Sequence, residues 1–119
     1  MDILVIEDSV FTRKKVVSIL TSHGFHVRQA DNGNVGLALI AEREPDCILL
    51  DLLMPDVDGM TVLQRLSEQG STIPVIVLTA DIQETTRMRC MELGATAFLQ
   101  KPPTEETLLE AIHCLQNIQ

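Results

Sequence analysis

The sequence of 119 residues predicts an α/β fold, in which a five-stranded parallel sheet is covered by five helices on both of its faces. Two observations carry this prediction. Short apolar runs alternate regularly with longer amphipathic stretches along the chain. In addition, three of the short runs are apolar at every position, which is typical of strands buried on both faces of a parallel sheet.

Each element is assigned from its local pattern. The predicted strands are the apolar runs at residues 3–6, 26–30, 47–50, 75–78 and 96–99. The predicted helices are the longer stretches at residues 10–23, 34–43, 59–69, 82–92 and 104–117. In the last helix, Leu108, Ile112 and Leu115 form one apolar stripe with helical spacing. Gly24 and Gly94 follow the first and fourth helices as left-handed caps.

The composition of the strands predicts their order in the sheet. Strands one, three and four are wholly apolar and belong at the centre, whereas strands two and five are mixed and belong at the edges. With right-handed crossovers, the simplest order is then 2-1-3-4-5, which is the flavodoxin-like doubly wound sheet. The functional crevice of such a sheet lies past the carboxyl ends of strands one and three.

Composition argues against several classes of function. Seventeen acidic residues and nine basic ones give a net charge of −8, so we expect no direct binding to nucleic acid or to an anionic membrane. The absence of Trp and Tyr disfavours a pocket built on aromatic stacking. We find no signal peptide or membrane span, and we expect one cytoplasmic domain over residues 1–119. Three unpaired cysteines are expected to be buried free thiols: Cys47, Cys90 and Cys114.

Chemically distinctive residues follow the predicted strands, at the edge where the carboxyl ends meet. Glu7 and Asp8 follow strand one, Asp51 follows strand three, Thr79 strand four and Lys101 strand five. Three neighbouring carboxylates repel one another and need a cation, and hard oxygen ligands favour Mg²⁺. Lys101 and Thr79 suit a phosphoryl group. The set therefore predicts a Mg²⁺ site beside a phosphoryl site, with Asp51 as the carboxylate that would become an acyl phosphate.

Four segments of the sequence resemble the receiver domain of bacterial two-component response regulators. They read Ile-Glu-Asp-Ser, Leu-Asp-Leu-Leu-Met-Pro-Asp-Val-Asp-Gly, Val-Leu-Thr-Ala and Gly-Ala-Thr-Ala-Phe-Leu-Gln-Lys-Pro. They occur in the order of the family and span nearly the whole chain. The resemblance implies a phosphoacceptor switch like the single-domain chemotaxis regulators. Such a switch is not an enzyme with a separate substrate, although it assists its own phosphorylation and dephosphorylation.

The resemblance implies roles for the matching positions. Asp51 would accept a phosphoryl group from a sensor histidine kinase or a phosphotransferase, and Lys101 would pair with the phosphoryl oxygens. Mg²⁺ would be held by Asp51, by Asp8, by Glu7 largely through water, and by the backbone carbonyl of Leu53.

A conformational switch is implied by the same resemblance. Thr79 would hydrogen-bond the phosphoryl group and move inward, and the rotamer of Phe98 would follow. The peptide bond between Lys101 and Pro102 is expected to be cis. The phosphorylated domain would bind a downstream protein partner through helix four, strand five and helix five, a face that includes Ile82, Thr86, Met88, Arg89 and residues 104–110.

The sequence departs from the family pattern at several positions. Glu7 replaces the more usual first Asp, and Phe98 lacks the hydroxyl of Tyr. Thr96 and Ala97 occupy the positions of an Asp pair that some DNA-binding relatives use in a dimer, so we do not expect that dimer.

Four alternatives stay open beside this interpretation. The first is that the sequence is a module of a longer response regulator. The second is a pseudo-receiver that only binds proteins, although pseudo-receivers normally lack part of the acidic set. An aspartyl-phosphate hydrolase would need a second acid at Leu53. A flavin or nucleotide binder would need a phosphate loop where Glu7 and Asp8 would repel the phosphate.

Other charged residues are interpreted as ordinary surface. The basic run of Arg13, Lys14 and Lys15 predicts a solvated helix face, and the three histidines are not expected to be ligands: His23, His26 and His113. Asp56 and Asp58 are taken as solvated loop acids, with Gly59 providing a turn.

Overall fold

A computed structural model describes residues 1–54, 57–81 and 83–118, and it confirms the predicted α/β fold. The strands are β1 (Asp2–Ile6), β2 (His26–Ala30), β3 (Cys47–Asp51), β4 (Val75–Thr79) and β5 (Ala97–Gln100). The helices are α1 (Val10–Ser22), α2 (Gly33–Glu42), α3 (Gly59–Glu68), α4 (Glu84–Glu92) and α5 (Glu105–Ile118). All strand pairs are parallel, and the order is β2-β1-β3-β4-β5, as predicted.

Element boundaries differ from the prediction by one or two residues. Helix α2 begins at Gly33, because the side chain of Asn32 caps it by accepting a hydrogen bond of 2.8 Å from the N–H of Val35. Strand β5 begins at Ala97 and not at Thr96. Helix α4 begins at Glu84 in the described chain. Ile82, its predicted start, lies outside the described residues, as does Asp56.

The sheet divides the interior into two apolar clusters. Alternate residues of each strand face opposite sides, so Leu4, Ile6 and Leu50 lie in the cluster that includes Val62 and Cys90 of helices α3 and α4. Their neighbours in sequence lie in the second cluster, which includes these residues of β1, β3, α1 and α5: Ile3, Val5, Leu49, Val16, Leu20, Leu108 and Ile112. Burying each such side chain contributes roughly 1.5–3 kcal/mol. The central strands are therefore fixed from both sides, as their unbroken apolar sequences predicted.

The predicted glycine caps are confirmed at two helix ends. Gly24 has a φ of 84° and Gly94 a φ of 96°, in the left-handed region that side chains other than glycine rarely adopt. The short elements leave no described helix with the length and apolarity needed to cross a membrane.

The cysteine prediction is right at two positions and wrong at the third. Cys47 and Cys90 are buried, and burial with the nearby charge of Asp46 raises the pKa of Cys47 to about 12. Cys114 is exposed. It directly precedes Leu115, which belongs to the buried stripe of α5, and neighbours in a helix point about 100° apart. The three histidines are exposed, as expected.

Gly59 does not provide the predicted turn, because it already belongs to helix α3. It is the first residue of α3, and its N–H donates a 2.9 Å hydrogen bond to the carbonyl of Leu52. A Cβ at this position would overlap the carbonyl oxygen of Asp51 and lie 2.6 Å from the Cα of Leu52. Asp58 caps the helix, accepting a 2.8 Å bond from the N–H of Thr61. The start of α3 therefore rests directly on the backbone at the end of β3.

We predict that Gly59→Ala destabilises the protein by about 1–3 kcal/mol, because the added methyl group must displace backbone. Gly36→Ala is the matched control. Its methyl group would meet the side chain of Ile6, with Cδ1 at 2.5 Å and Cγ1 at 2.9 Å, and no backbone. A side chain must then shift instead of the main chain, and alanine favours the helix, so we expect a smaller loss. Urea denaturation measures both changes. An equal loss of stability in the two variants would contradict this account of Gly59.

Candidate functional site

Four charged side chains meet at the carboxyl edge of the sheet. Carboxylate oxygens of Glu7, Asp8 and Asp51 lie within 4.8 Å of one another. The Nζ atom of Lys101 lies 2.5 Å from Oε1 of Glu7 and 3.2 Å from Oδ2 of Asp51. These groups come from the ends of β1, β3 and β5, so the parallel sheet brings together residues that are far apart in sequence.

Backbone contacts position the two buried acids. Glu7 is 0% exposed, and its N–H donates a 3.0 Å hydrogen bond to the carbonyl of Ala30, which continues the pairing of β1 with β2 by one residue. Asp51 ends β3 and is 1% exposed, whereas Asp8 is exposed. Ser9 caps α1 by accepting a 3.3 Å bond from the N–H of Thr12. Because Ser9 serves as the cap, the carboxylates of Glu7 and Asp8 are not needed for that purpose.

The buried carboxylates are incompletely satisfied. Within the described residues, neither oxygen of Glu7 nor Oδ2 of Asp51 makes a hydrogen bond; the ammonium of Lys101 forms ion pairs with Oε1 of Glu7 and Oδ2 of Asp51. Burial raises the pKa of Asp51 to about 6, and the adjacent Glu7 adds to this increase. Burial and the neighbouring Asp51 also raise the pKa of Asp8. One ammonium group therefore does not offset three acids.

Burial alone would lower the pKa of Lys101, but the carboxylates of Glu7 and Asp51 outweigh burial and raise it. The ammonium is thus held in its charged form. Among the residues that the structure describes, no second cationic side chain pairs with these acids. Their oxygens are hard donors, and those of Asp8 are open to solvent. This donor chemistry fits Mg²⁺, which takes one or two carboxylates and keeps other positions for water or phosphate oxygens. Glu7, Asp8 and Asp51 are the residues that could hold the ion.

Leu53 lies beside this acidic cluster. Its N–H donates a 3.2 Å hydrogen bond to Oδ1 of Asp51, and its side chain is 66% exposed. The contact fixes one oxygen of Asp51 and leaves Oδ2 facing Lys101. The predicted role of the Leu53 carbonyl as a metal ligand stays a prediction.

Thr79 ends β4 and is buried, one residue after Leu78, which pairs with Asp51 of β3. Its carbonyl accepts a 2.8 Å hydrogen bond from the N–H of Lys101, which joins the ends of β4 and β5. The hydroxyl oxygen accepts a 3.1 Å bond from the N–H of Asp81. The carboxylate of Asp81 in turn accepts bonds from the N–H of Gln83 at 3.0 Å and from the hydroxyl of Thr86 at 2.8 Å. Hydrogen bonds therefore run without a break from Thr79 to the first turns of α4.

Phe98 is half-buried on β5, where it packs against the apolar cluster that contains Val77 and Cys90. Residues of β4 in that cluster are Val75 and Val77, so the alternation of the strand places Thr79 on the same face of the sheet as Phe98. Glu7 and Asp51 fall on the opposite face, in step with residues of the second cluster. The peptide bond between Lys101 and Pro102 is cis, as expected.

The interpretation of the basic run as solvated is wrong for Arg13. Lys14 and Lys15 are exposed, but Arg13 is half-buried and its Nη1 donates a 2.7 Å hydrogen bond to the backbone carbonyl of Glu7. Helical side chains bend towards the helix N-terminus, which is how Arg13 reaches back past the cap. An arginine so near the positive end of a helix is the one signal in the sequence that could have indicated such a contact.

Comparisons with known proteins agree with this geometry. The family model described as the response regulator receiver domain matches residues 3–113. Protein PilH of Pseudomonas aeruginosa is 37% identical over 115 residues, which cover 95% of this chain and 95% of PilH. The probable transcriptional regulatory protein SilR of Salmonella typhimurium is 37% identical over 115 residues, which cover 97% of this chain and 50% of SilR. The chain thus spans half the length of some relatives and nearly the whole of another.

Solved structures show the same fold. The chemotaxis protein CheY4 of Vibrio cholerae superimposes with a TM-score of 0.90 at 28% identity, covering 96% of this chain and 97% of that one. A CheY-like receiver domain protein from Methanospirillum hungatei gives a TM-score of 0.90 at 26% identity, covering 98% and 94% of the two chains. The matched family model, the extent of these similarities and the acidic edge of the sheet agree. The chain therefore belongs to the response regulator receiver domains of two-component signalling.

Proposed function

We propose that this receiver domain is a Mg²⁺-dependent phosphoacceptor whose acceptor is Asp51. The observation that carries the proposal is a buried carboxylate with an unsatisfied oxygen, set between an ammonium group and two further acids. A group in this position is shielded from bulk water, yet it is adjacent to the charges that a phosphoryl group needs. The donor is a phosphohistidine of a sensor histidine kinase or a phosphotransferase.

In the transfer, an oxygen of ionised Asp51 attacks phosphorus. The bond between phosphorus and the imidazole nitrogen breaks, its electron pair stays with the imidazole, and an acyl phosphate forms on Asp51. Lys101, already 3.2 Å from Oδ2 of Asp51, pairs with the negative oxygens of the phosphoryl group. Glu7, Asp8 and Asp51 would hold Mg²⁺, which would supply positive charge against the carboxylates and the phosphoryl oxygens. The domain acts on itself in this way and has no separate substrate.

Thr79 transmits the change of state. Its hydroxyl turns to the phosphoryl group and loses the hydrogen bond from the N–H of Asp81. The carboxylate of Asp81 accepts hydrogen bonds from Gln83 and Thr86 at the start of α4, so the change reaches that helix. Phe98 lies on the same face of the sheet as Thr79 and packs in the apolar cluster that includes Cys90 of α4. Its rotamer changes to fill the space that the Thr79 side chain leaves. Only Cys90 is buried among the residues of α4, which leaves this helix weakly attached.

The signal leaves through the face formed by α4, β5 and α5, to which a downstream protein binds. Met88 on this face is 53% exposed, an apolar surface suited to a protein partner. We further propose that the reaction takes place in the cytoplasm, within one domain spanning residues 1–119, of which the family model matches residues 3–113. The alternative of a pseudo-receiver is less well supported, because the acidic set and Lys101 are all in place.

Asp51→Asn is expected to abolish labelling by acetyl phosphate in the presence of Mg²⁺, because an amide is not a nucleophile for phosphorus. Intact-protein mass spectrometry measures the labelling. Asp58→Asn is the matched control, since Asp58 is an exposed helix cap and asparagine caps equally well. Labelling of Asp51→Asn to the extent of the control would refute the assignment of the acceptor.

The same substitution is expected to stabilise the metal-free protein at pH 7 by about 1–3 kcal/mol. The raised pKa of Asp51 means that the folded state holds its proton more tightly than the unfolded state, so stability falls as the pH rises from about 4 through about 6. Asp51→Asn removes this loss, and its advantage should vanish near pH 4. Urea denaturation in EDTA at the two pH values measures it. A variant no more stable than the wild type at pH 7 would show that the buried charge costs nothing.

A beryllofluoride adduct formed with Mg²⁺ should shift the amide NMR signals of Thr86 and Phe98, because both respond to Thr79. Thr79→Ala should keep the shifts near Asp51 and lose those two, whereas Thr85→Ala, an exposed position on α4, should behave like the wild type. Shifts confined to the Asp51 loop in the wild type would leave the acceptor assignment intact and rule out this route of transmission.

A further inference from the structure

We propose that Arg13 is a positioning residue for the metal site, acting through the peptide group between Glu7 and Asp8. The inference rests on the proposed function, because it takes these two acids as carboxylates that hold Mg²⁺. In the described chain, the guanidinium of Arg13 forms no ion pair with the three carboxylates. It donates a hydrogen bond to the backbone carbonyl of Glu7, in the segment from which two of the three carboxylates project.

The contact is short and partly shielded from solvent. Nη1 of Arg13 lies 2.7 Å from the carbonyl oxygen of Glu7, and the side chain is half-buried. A hydrogen bond from a charged donor is roughly twice as strong as one between neutral groups. The N–H of Arg13 donates to the carbonyl of Ser9 at 2.9 Å, so the backbone of the arginine is itself fixed in the first turns of α1.

The position of Arg13 is electrostatically unfavourable for α1 alone. The N-terminus of a helix carries partial positive charge and favours acids, yet the first turn of α1 contains none and Arg13 follows it directly. Within the described chain, no carboxylate forms an ion pair with Arg13. The stabilising partner of its charge is therefore the carbonyl of Glu7.

Glu7 is held on both sides by this arrangement. Its N–H donates to the carbonyl of Ala30 at 3.0 Å, and its carbonyl accepts from Arg13 at 2.7 Å. The held carbonyl belongs to the same planar peptide group as the N–H of Asp8, so a rotation of that group would redirect both side chains. Glutamate also has one more rotatable bond than aspartate. A fixed backbone therefore matters more for aiming its carboxylate into the cluster.

The test compares Mg²⁺ affinity in Arg13→Met, Arg13→Lys and Lys14→Met, with the folded state verified by circular dichroism. Arg13→Met should bind Mg²⁺ about 10-fold more weakly, at the lower end for partners that orient a ligand. Arg13→Lys keeps a charged donor of similar length and should recover to within about threefold of the wild type. Lys14→Met removes an equal charge from an exposed neighbour and should have little effect. Asp8→Asn shows the loss expected when a ligand itself is removed.

Two further readouts separate positioning from general charge. The loss in Arg13→Met should persist at high salt, where long-range electrostatic effects are screened. In the metal-free protein, the ¹⁵N shift of the Asp8 amide should change in Arg13→Met and not in Lys14→Met, because that nitrogen shares its peptide group with the held carbonyl. This measurement needs no Mg²⁺ and no phosphorylation, so it tests the contact even if the proposed function fails.

An affinity loss equal in Arg13→Met and Lys14→Met, or one that disappears at high salt, would overturn the positioning role in favour of net charge. Unchanged affinity with an unchanged Asp8 signal would overturn it outright. If Arg13→Met does not fold, Arg13→Gln takes its place with the same expected loss, because its neutral side chain is two bonds too short to reach the carbonyl.

Discussion

The close approach of three acids at the end of a parallel sheet, two of them buried, is the constraint on which this molecule depends. Carboxylates within 4.8 Å of one another repel, and two of them, Glu7 and Asp51, are removed almost completely from water. A fold that keeps such a cluster must hold it by other means. Burial of the two apolar clusters on either side of the sheet supplies the stabilising free energy, and Lys101 supplies part of the compensating positive charge.

Backbone contacts then give the cluster its shape. Gly59 brings the start of α3 against the carbonyl of Asp51, and Arg13 holds the carbonyl of Glu7. Lys101 is joined to Thr79 through the main chain as well as to the acids through its side chain. In each case, the contact is made to the main chain from which one of the clustered side chains projects. Such contacts use main-chain atoms and therefore do not engage the carboxylate oxygens of Glu7 and Asp51.

Much of this could be predicted from the sequence, because its strongest signals are regular. The wholly apolar strands predicted which strands lie at the centre of the sheet. Residues that directly follow parallel strands must lie at the same edge of the sheet. The failures involve side chains whose role depends on distance through space. Cys114 lies one residue from a buried stripe, Gly59 is required by a carbonyl that only the folded chain brings near, and Arg13 bends back to a strand it follows. Helical spacing and the position of Arg13 near a helix N-terminus are signals at two of these residues, but the partner atoms are known only from the folded chain.

The alternation of side chains across the sheet has a consequence for how this sequence can vary. The acids Glu7 and Asp51 fall on one face, and Thr79 and Phe98 fall on the other. Strands β1, β3 and β4 each have five residues. Inserting or deleting a single residue in β4 would carry Thr79 to the opposite face and separate it from Phe98. Apolar substitutions in these strands therefore preserve the arrangement, whereas a change of strand length does not, since the length determines which face of the sheet each side chain lies on.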